Sequence, residues 1–398
     1  MRILRWTVLI GCFIAYLFDA FEITLLSLAL PAIRHDLGLS GGQAGLLATA
    51  TLLGIGVSSL AIGYLADNFG RKKALILSLA AFGVFTSALW AVPGFGTFLV
   101  IRFLAGLGLG GVWSVVSAYI TETWPDRSRN RASAFVISAF PIGGALAAVT
   151  SGLFLPDWRL MFLIAGLLVA LPILIVAAFF RESSSWLADR TDSEKPVVVG
   201  DVLRGPLRRA TLLGTLMAAL ALIGFWGSST WLPTYLGTER GLSPASVAWS
   251  LTALNLGMFL GYNAFGVLAD RIGQRAAILL SLVGVTIALP VYALTTRADT
   301  LLWLGPLYGF CTAFFGLFGA YLGELFPTRV RTTGVGFCFN VGRGISAFAP
   351  FALIGVAGAI GFSGGLVVCA LFFGLSAVVV AVLPTTRSAV PQDTSVQY

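Results

Sequence analysis

Two carboxylates three residues apart, Asp19 and Glu22, sit in the segment Phe18-Asp19-Ala20-Phe21-Glu22, inside an apolar run from about 7 to 30. On a helix that spacing puts both carboxyls on one face, about one turn apart in height. The run is long enough to cross a bilayer, and a carboxylate near its middle costs roughly 2.5 to 3.5 kcal/mol on insertion scales. Acids placed there must face protein or water. The chemistry they offer is capture and release of a proton or another ion, and two acids this close titrate as a coupled pair. The plainer alternative is a pair neutralised by its packing partners. Arg102 and Arg343 also fall inside apolar runs. A buried guanidinium can hold a carboxylate through two parallel hydrogen bonds, which lysine cannot do, or it can serve in a structural ion pair.

The elements that position these charges are membrane helices. The chain of 398 residues is 58% hydrophobic and 11% charged, with a mean hydropathy of +0.93, far from the quarter of charged residues usual in soluble domains. Apolar runs fall near 7–30, 43–66, 74–92, 97–120, 132–155 and 159–180, then 211–237, 245–268, 276–295, 301–323, 332–356 and 362–384. Arg2 and Arg5 ahead of the first run imitate a signal peptide, but the run is too long, carries two acids and offers no clean cleavage site. The net charge of +8 does not point to nucleic acid, because the basic residues lie in short loops and form no stripe. With the N-terminus inside, nineteen basic residues fall on inner segments and four (Arg34, Arg159, Arg240, Arg297) on outer loops, so both termini are expected to be cytoplasmic. Cys12, Cys311, Cys338 and Cys369 lie in apolar runs without paired spacing and read as packing residues, and His35 reads as a surface loop histidine. No metal site or cofactor is expected.

The chain repeats itself. Gly63-Tyr64-Leu65-Ala66-Asp67-Asn68-Phe69-Gly70-Arg71 recurs as Gly266-Val267-Leu268-Ala269-Asp270-Arg271-Ile272-Gly273-Gln274, an offset of 203. Tyr119, Glu122, Pro125, Arg127 and Arg129 recur as Tyr321, Glu324, Pro327, Arg329 and Arg331, an offset of 202. Two matches at nearly one offset imply two six-helix halves in parallel arrangement. The expected organisation is a first bundle over 1–180, a cytoplasmic linker over 181–210 with an interfacial helix, a second bundle over 211–384 and a polar tail over 385–398.

Duplication also sorts the charges. Groups in the duplicated motifs serve the shared architecture: Asp67 and Glu122 with their arginines Arg71 and Arg129, and Asp270 and Glu324 with Arg275 and Arg331, are expected to tie the cytoplasmic side shut by pairing and by capping helix N-termini. Asp19, Glu22, Arg102 and Arg343 have no charged counterpart in the other half and are assigned to ligand and driving ion. At about 1.5 Å of rise per residue, Glu22 matches Arg102 in height while Asp19 lies nearer the centre, so Glu22 with Arg102 and Asp19 are the expected proton-coupling group. Arg343 also lies near mid-membrane, with Asn340 three residues before it. Trp226, Trp231 and Tyr235 in the seventh span are candidate walls for a ring, and Asn255 and Asn263 in the eighth are candidate polar contacts. The four core charges sum to zero, and adding one carboxylate with one proton leaves zero again, so no net charge need be stranded as the protein rocks.

The motifs carry a family resemblance. Gly63-x-x-x-Asp67-x-x-Gly70-Arg71-Lys72-Lys73 resembles the signature of the major facilitator superfamily, over essentially the whole chain. Arg102-x-x-x-Gly106-x-Gly108-x-Gly110 is similar to its second motif, and Glu182-Ser183-Ser184-Ser185-Trp186-Leu187 partly resembles a motif of sugar and organic-ion porters, lacking both prolines and the arginine. Asp19 and Glu22, with 324–334 and Asn340-Val341-Gly342-Arg343, are similar to the branch of aromatic-acid, sialic-acid and niacin porters. Sugar porters show a similar first-span acid coupled to the fourth-span arginine. The resemblance implies an all-α membrane protein of twelve transmembrane helices in two pseudo-symmetric bundles. The activity it implies is secondary active, proton-coupled uptake of a small organic anion (an aromatic, heterocyclic or sugar carboxylate) by alternating access. The protein is then a monomer in the plasma membrane, a bacterial inner membrane, whose partners are organic anion, protons and lipid. The rival is a proton-driven exporter of drugs or organic cations, but Phe140-Pro141-Ile142-Gly143-Gly144 falls one residue short of the exporters' Gly-Pro-x-x-Gly-Gly. A non-transporting membrane sensor is the alternative of another class, and an enzyme is not expected, since no nucleophile with a histidine base can be found.

Overall fold

The computed structural model describes residues 2–189 and 197–383, which are almost wholly helical. The middle of the linker (190–196) and the tail expected over 385–398 lie outside the described residues. In the first half, α1 is Arg2–Leu37, α2 Gly41–Phe69, α3 Arg71–Ala88 and α4 Phe95–Thr123. The half is completed by α5, in two segments (Arg129–Ile137 and Ala139–Phe154), and by α6, also in two (Trp158–Leu168 and Ala170–Phe179). The second half has α7 Leu207–Thr234 with a π turn at Tyr235–Glu239, α8 Pro244–Ile272, α9 Gln274–Leu294 and α10 as Ala298–Cys311 and Phe314–Leu325. Then α11 runs through Arg331–Gly336, a π turn at Phe337–Val341, Gly342–Ser346 and on to 360, and α12 covers 362–382.

Backbone polar groups in hydrocarbon must be satisfied within the segment, so apolar runs of this length fold as helices. Among the described residues, eleven helices are long and apolar enough to cross a membrane. The broken α11 makes the twelfth span. The two last spans meet without a loop at Gly361, whose φ of 76° falls in the left-handed region that glycine tolerates. There the carboxylate of Glu239 accepts from the amides of Phe362 and Ser363 and so caps α12. The repeat extends to caps: Ser40 starts α2 through a capping box with Gln43, and Ser243, its equivalent in the second half, starts α8 by accepting from Ser246 N. His35 lies in the last turn of α1, exposed, and not in a loop.

Within the first half, α4 packs on both α2 and α3, and α1 on α5; in the second, α8 packs on α10, and α12 on α7 and α9. The halves meet along two seams, α2 against α11 and α5 against α8. The glycines of the fourth-span motif allow these close crossings. A Cβ on Gly106 would strike the carbonyl oxygen of Thr51, and one on Gly108 would come within 2.7 Å of Ser78 O. On the periphery, Leu153, Leu167, Leu174, Trp303 and Leu371 are among the large apolar side chains left exposed, the surface that lipid would cover. Between Phe179 and Leu207 the linker forms a short helix, Ser184–Asp189, and a 3-10 turn, Val199–Leu203.

Candidate functional site

Asp19 and Glu22 are carried by α1, Arg102 by α4 and Arg343 by α11, and all four side chains belong to residues exposed by 2% or less. Glu22 pairs with Arg102 Nη1, and Arg102 Nε donates to Thr51 Oγ1 at 3.0 Å. The pairing follows from depth: a helix running outward and one running inward bring these two residues to one level. Neither oxygen of Asp19 has a hydrogen-bond partner, and the charges it feels are those of Arg343 and Glu22. Arg343 stands across the seam, with Nε and Nη1 unpartnered and its guanidinium 5.2 Å from the ring centroid of Phe339. Buried polar groups left this way are costly. A carboxylate such as Asp19 is stable there only when a proton or counter-charge satisfies it, and the open donors of Arg343 suit an anion.

Arg343 lines a cavity between the halves. Tyr16, Trp113, Ile137 and Phe140 contribute from the first half, and Leu222, Phe225, Trp226, Tyr262, Phe315 and Phe339 from the second. The void is only about 30 Å³, room for a water or two and far below the roughly 300–1,000 Å³ of a small-molecule pocket. The site is therefore contracted. The helices around it are interrupted: α5 at Ser138, α10 at Thr312 and Ala313, and α11 by its π turn. Broken membrane helices concentrate at such sites.

Several expected wall residues lie elsewhere. Asn255 is exposed on the surface of α8 and donates to Leu251 O at 3.0 Å. Trp231 donates to Pro350 O at 3.0 Å and packs on Phe362, and Tyr235 is buried with its hydroxyl on Tyr292 O and Ala293 O. Neither lines the cavity, because the apolar face that each extends is spent on packing within the second half. Asn263 donates to Phe259 O and lines a side groove with Trp6, Trp124 and Arg131. Asn340 lies in the π turn and donates to Gly110 O across the seam at 2.7 Å. Trp226 does line the cavity. Trp113 and Phe339 were missed among 10 tryptophans and 30 phenylalanines, although Phe339 stands four residues before Arg343 and so shares its face.

The duplicated charges form a second cluster at the basic-loop end. Glu122 pairs with Arg331 of the other half at 3.3 Å, and its repeat equivalent Glu324 pairs with Arg129 at 2.9 Å. Asp67 accepts from the amides of Thr332 and Thr333 across the seam, at 3.2 and 2.8 Å, while its repeat equivalent Asp270 pairs with Arg131 at 2.6 Å. Arg71 binds Asp67 and Glu122 in its own half and reaches Thr328 O in the other at 2.8 Å. Arg275 departs from expectation: it donates to the carbonyl of Ala381 in its own half, since α12 ends beside the start of α9. These ties close the seam at the basic-loop end.

A sequence profile of the Major Facilitator Superfamily matches residues 12–261 and 214–397. The chain belongs to the Major Facilitator Superfamily. It is 29% identical to a cis,cis-muconate transport protein of Acinetobacter baylyi, over 96% of this chain and 94% of that one. It is 27% identical to the sialic acid transporter NanX of Escherichia coli, over 92% and 90%. The fold is shared with the proton:xylose symporter XylE bound to 6-bromo-6-deoxy-D-glucose, at a TM-score of 0.79 and 15% identity over 95% of this chain and 96% of that one. This superfamily protein is thus a multi-pass membrane transporter of a small molecule and not an enzyme.

Proposed function

We propose that the protein takes up a small organic anion together with a proton by alternating access. The cargo is an aromatic, heterocyclic or sugar carboxylate. The observation that carries this reading is Arg343, buried on the cavity between the halves with two donor nitrogens unpartnered, whose charge acts on an Asp19 with oxygens equally unpartnered. A carboxylate ligand satisfies the guanidinium, a proton satisfies Asp19, and the Glu22–Arg102 pair responds to the change in local charge. Transport of muconate and sialic acid by relatives supports a carboxylate cargo. On this reading the protein is a monomer in a bacterial inner membrane with both termini cytoplasmic, as the bias of basic residues towards one side supports.

The test is flux into proteoliposomes. Anion should accumulate when the outside is acidic; accumulation that instead needs an acidic lumen would favour the cation exchanger, and binding without flux would favour a sensor. Glu22→Gln should keep anion exchange yet lose accumulation, and a variant still concentrating its cargo with a pH gradient would contradict the coupling role.

A further inference from the structure

Trp113 on α4 and Phe339 on α11 stack nearly face to face, with ring centroids 3.8 Å apart and planes at 16°. Most other aromatic neighbours here are tilted or edge-on, including the Phe314, Phe315 and Phe318 cluster. This pair differs in three further ways. Its rings come from different halves, so its spacing reports how far apart the halves stand. Both rings line the central cavity. Above Phe339 lies the guanidinium of Arg343, with Nε and Nη1 unpartnered.

We infer that Trp113 and Phe339 form a clamp that admits a flat conjugated carboxylate between the two rings while its carboxylate binds Arg343. This rests on the reading of Arg343 as the anion site and narrows the cargo from carboxylates in general to planar ones. A flat ligand between two rings needs their centroids about 7 Å apart, twice a carbon–carbon contact, so the halves part by roughly 3 Å from the empty spacing of 3.8 Å. The ligand then replaces one ring–ring contact with two and holds the halves together at the wider spacing. A saturated, puckered ring is too thick for that gap and presents no π face. Without a ligand, the rings close on each other and fill the site.

The clamp is tested by binding to the purified full-length protein, which needs no proton gradient. The flat probes are benzoate and 2,5-dihydroxybenzoate, and the puckered one is cyclohexanecarboxylate, which matches benzoate in carbon count and charge. Wild type should bind the flat probes at least tenfold tighter. Trp113→Leu and Phe339→Leu should each weaken flat probes about two- to tenfold and leave the puckered one unchanged, while Trp113→Phe and Phe339→Tyr, which keep a flat face, should preserve the preference. The proposal is overturned by equal wild-type binding of both shapes, by leucine variants that weaken both alike, or by aromatic replacements that lose the preference. Should the leucine variants fail to fold, the wild-type comparison and the aromatic replacements decide. Absence of any carboxylate binding would sink the clamp and the anion reading together. Planar preference without proton-driven accumulation would leave the clamp and remove the coupling, whereas proton-driven uptake indifferent to shape would remove the clamp alone.

Discussion

Replacing Asp67 by asparagine should loosen the closed seam by an amount that its contacts allow to be worked out. The ion pair with Arg71, at 3.0 Å, lies within the first half and survives opening. The bonds accepted from Thr332 N at 3.2 Å and Thr333 N at 2.8 Å join the halves and are broken by it. Hydrogen bonds to a charged group contribute about 1.5–3 kcal/mol, neutral ones about 0.5–1.5. Asparagine keeps one acceptor oxygen, so one charged bond is lost and the other becomes neutral. The closed state is then weakened by about 2.5–4.5 kcal/mol, which is a factor of about 70 to 2,000 in the balance of closed and open forms. Spin labels at Lys73 and Ala276, exposed equivalent positions at the starts of α3 and α9, would read the separation of the halves after replacement of the native cysteines. The Asp67→Asn distribution should shift to a population with different spacing. Asp126→Asn is the control, because Asp126 is 90% exposed and pairs with Arg129 inside its own half. A distance distribution for Asp67→Asn that matches wild type would refute the assignment of these bonds to the seam.

Two further outcomes follow from the core charges. Arg343→Lys should weaken carboxylate binding about 10- to 150-fold through loss of one charge-assisted bond of about 1.5–3 kcal/mol, with the unfolding temperature preserved; unchanged affinity in calorimetry would remove Arg343 from the site. Asp19→Asn should bind anion with an affinity that no longer tightens on acidification, and a titration in which the pH dependence persists would place the coupled proton elsewhere.

How far the sequence revealed this arrangement depends on which physical signal each residue left. The spans were legible because a bilayer demands long apolar runs, and the level of Glu22 with Arg102 because helical rise converts sequence position into depth. The acid and arginine ties at the loop ends stood out as a repeated motif, but not their partners across the seam, since Glu122 with Arg331 and Glu324 with Arg129 need the docking of two halves. That Asn255, Trp231 and Tyr235 stand off the contracted cavity was hidden for one reason. A membrane helix is apolar towards lipid and towards protein, so the pattern that orients a soluble helix is weak. The bond of Asn340 to Gly110 O across the seam was hidden as well, since it lies in a π turn invisible in the pattern. Arg275 found a backbone carbonyl, Ala381 O, which no charge count anticipates.

The two charge clusters divide along a line that bears on coupling. Of the loop-end ties, Glu122–Arg331 and Glu324–Arg129 are an equivalent pair, while Asp67 and Asp270 take different partners; all of them lie away from the central cavity and carry no preference for cargo. Among the core charges, Glu22 and Arg102 both lie in the first half, and their pair can persist as the halves rock. Asp19 on α1 and Arg343 on α11 belong to different halves, and the charge of Arg343 acts on Asp19. A carboxylate seated on Arg343 would bring a negative charge towards Asp19, and two like charges about 5 Å apart repel by roughly 3 kcal/mol at an effective dielectric constant of 20. That is a penalty of about 150-fold on anion binding unless Asp19 carries a proton. Reciprocity requires the anion to favour protonation by the same factor. On the proposed reading, symport needs no relay between distant sites: one seam, bearing one acid on one side and one guanidinium on the other, makes cargo and proton each the condition for the other.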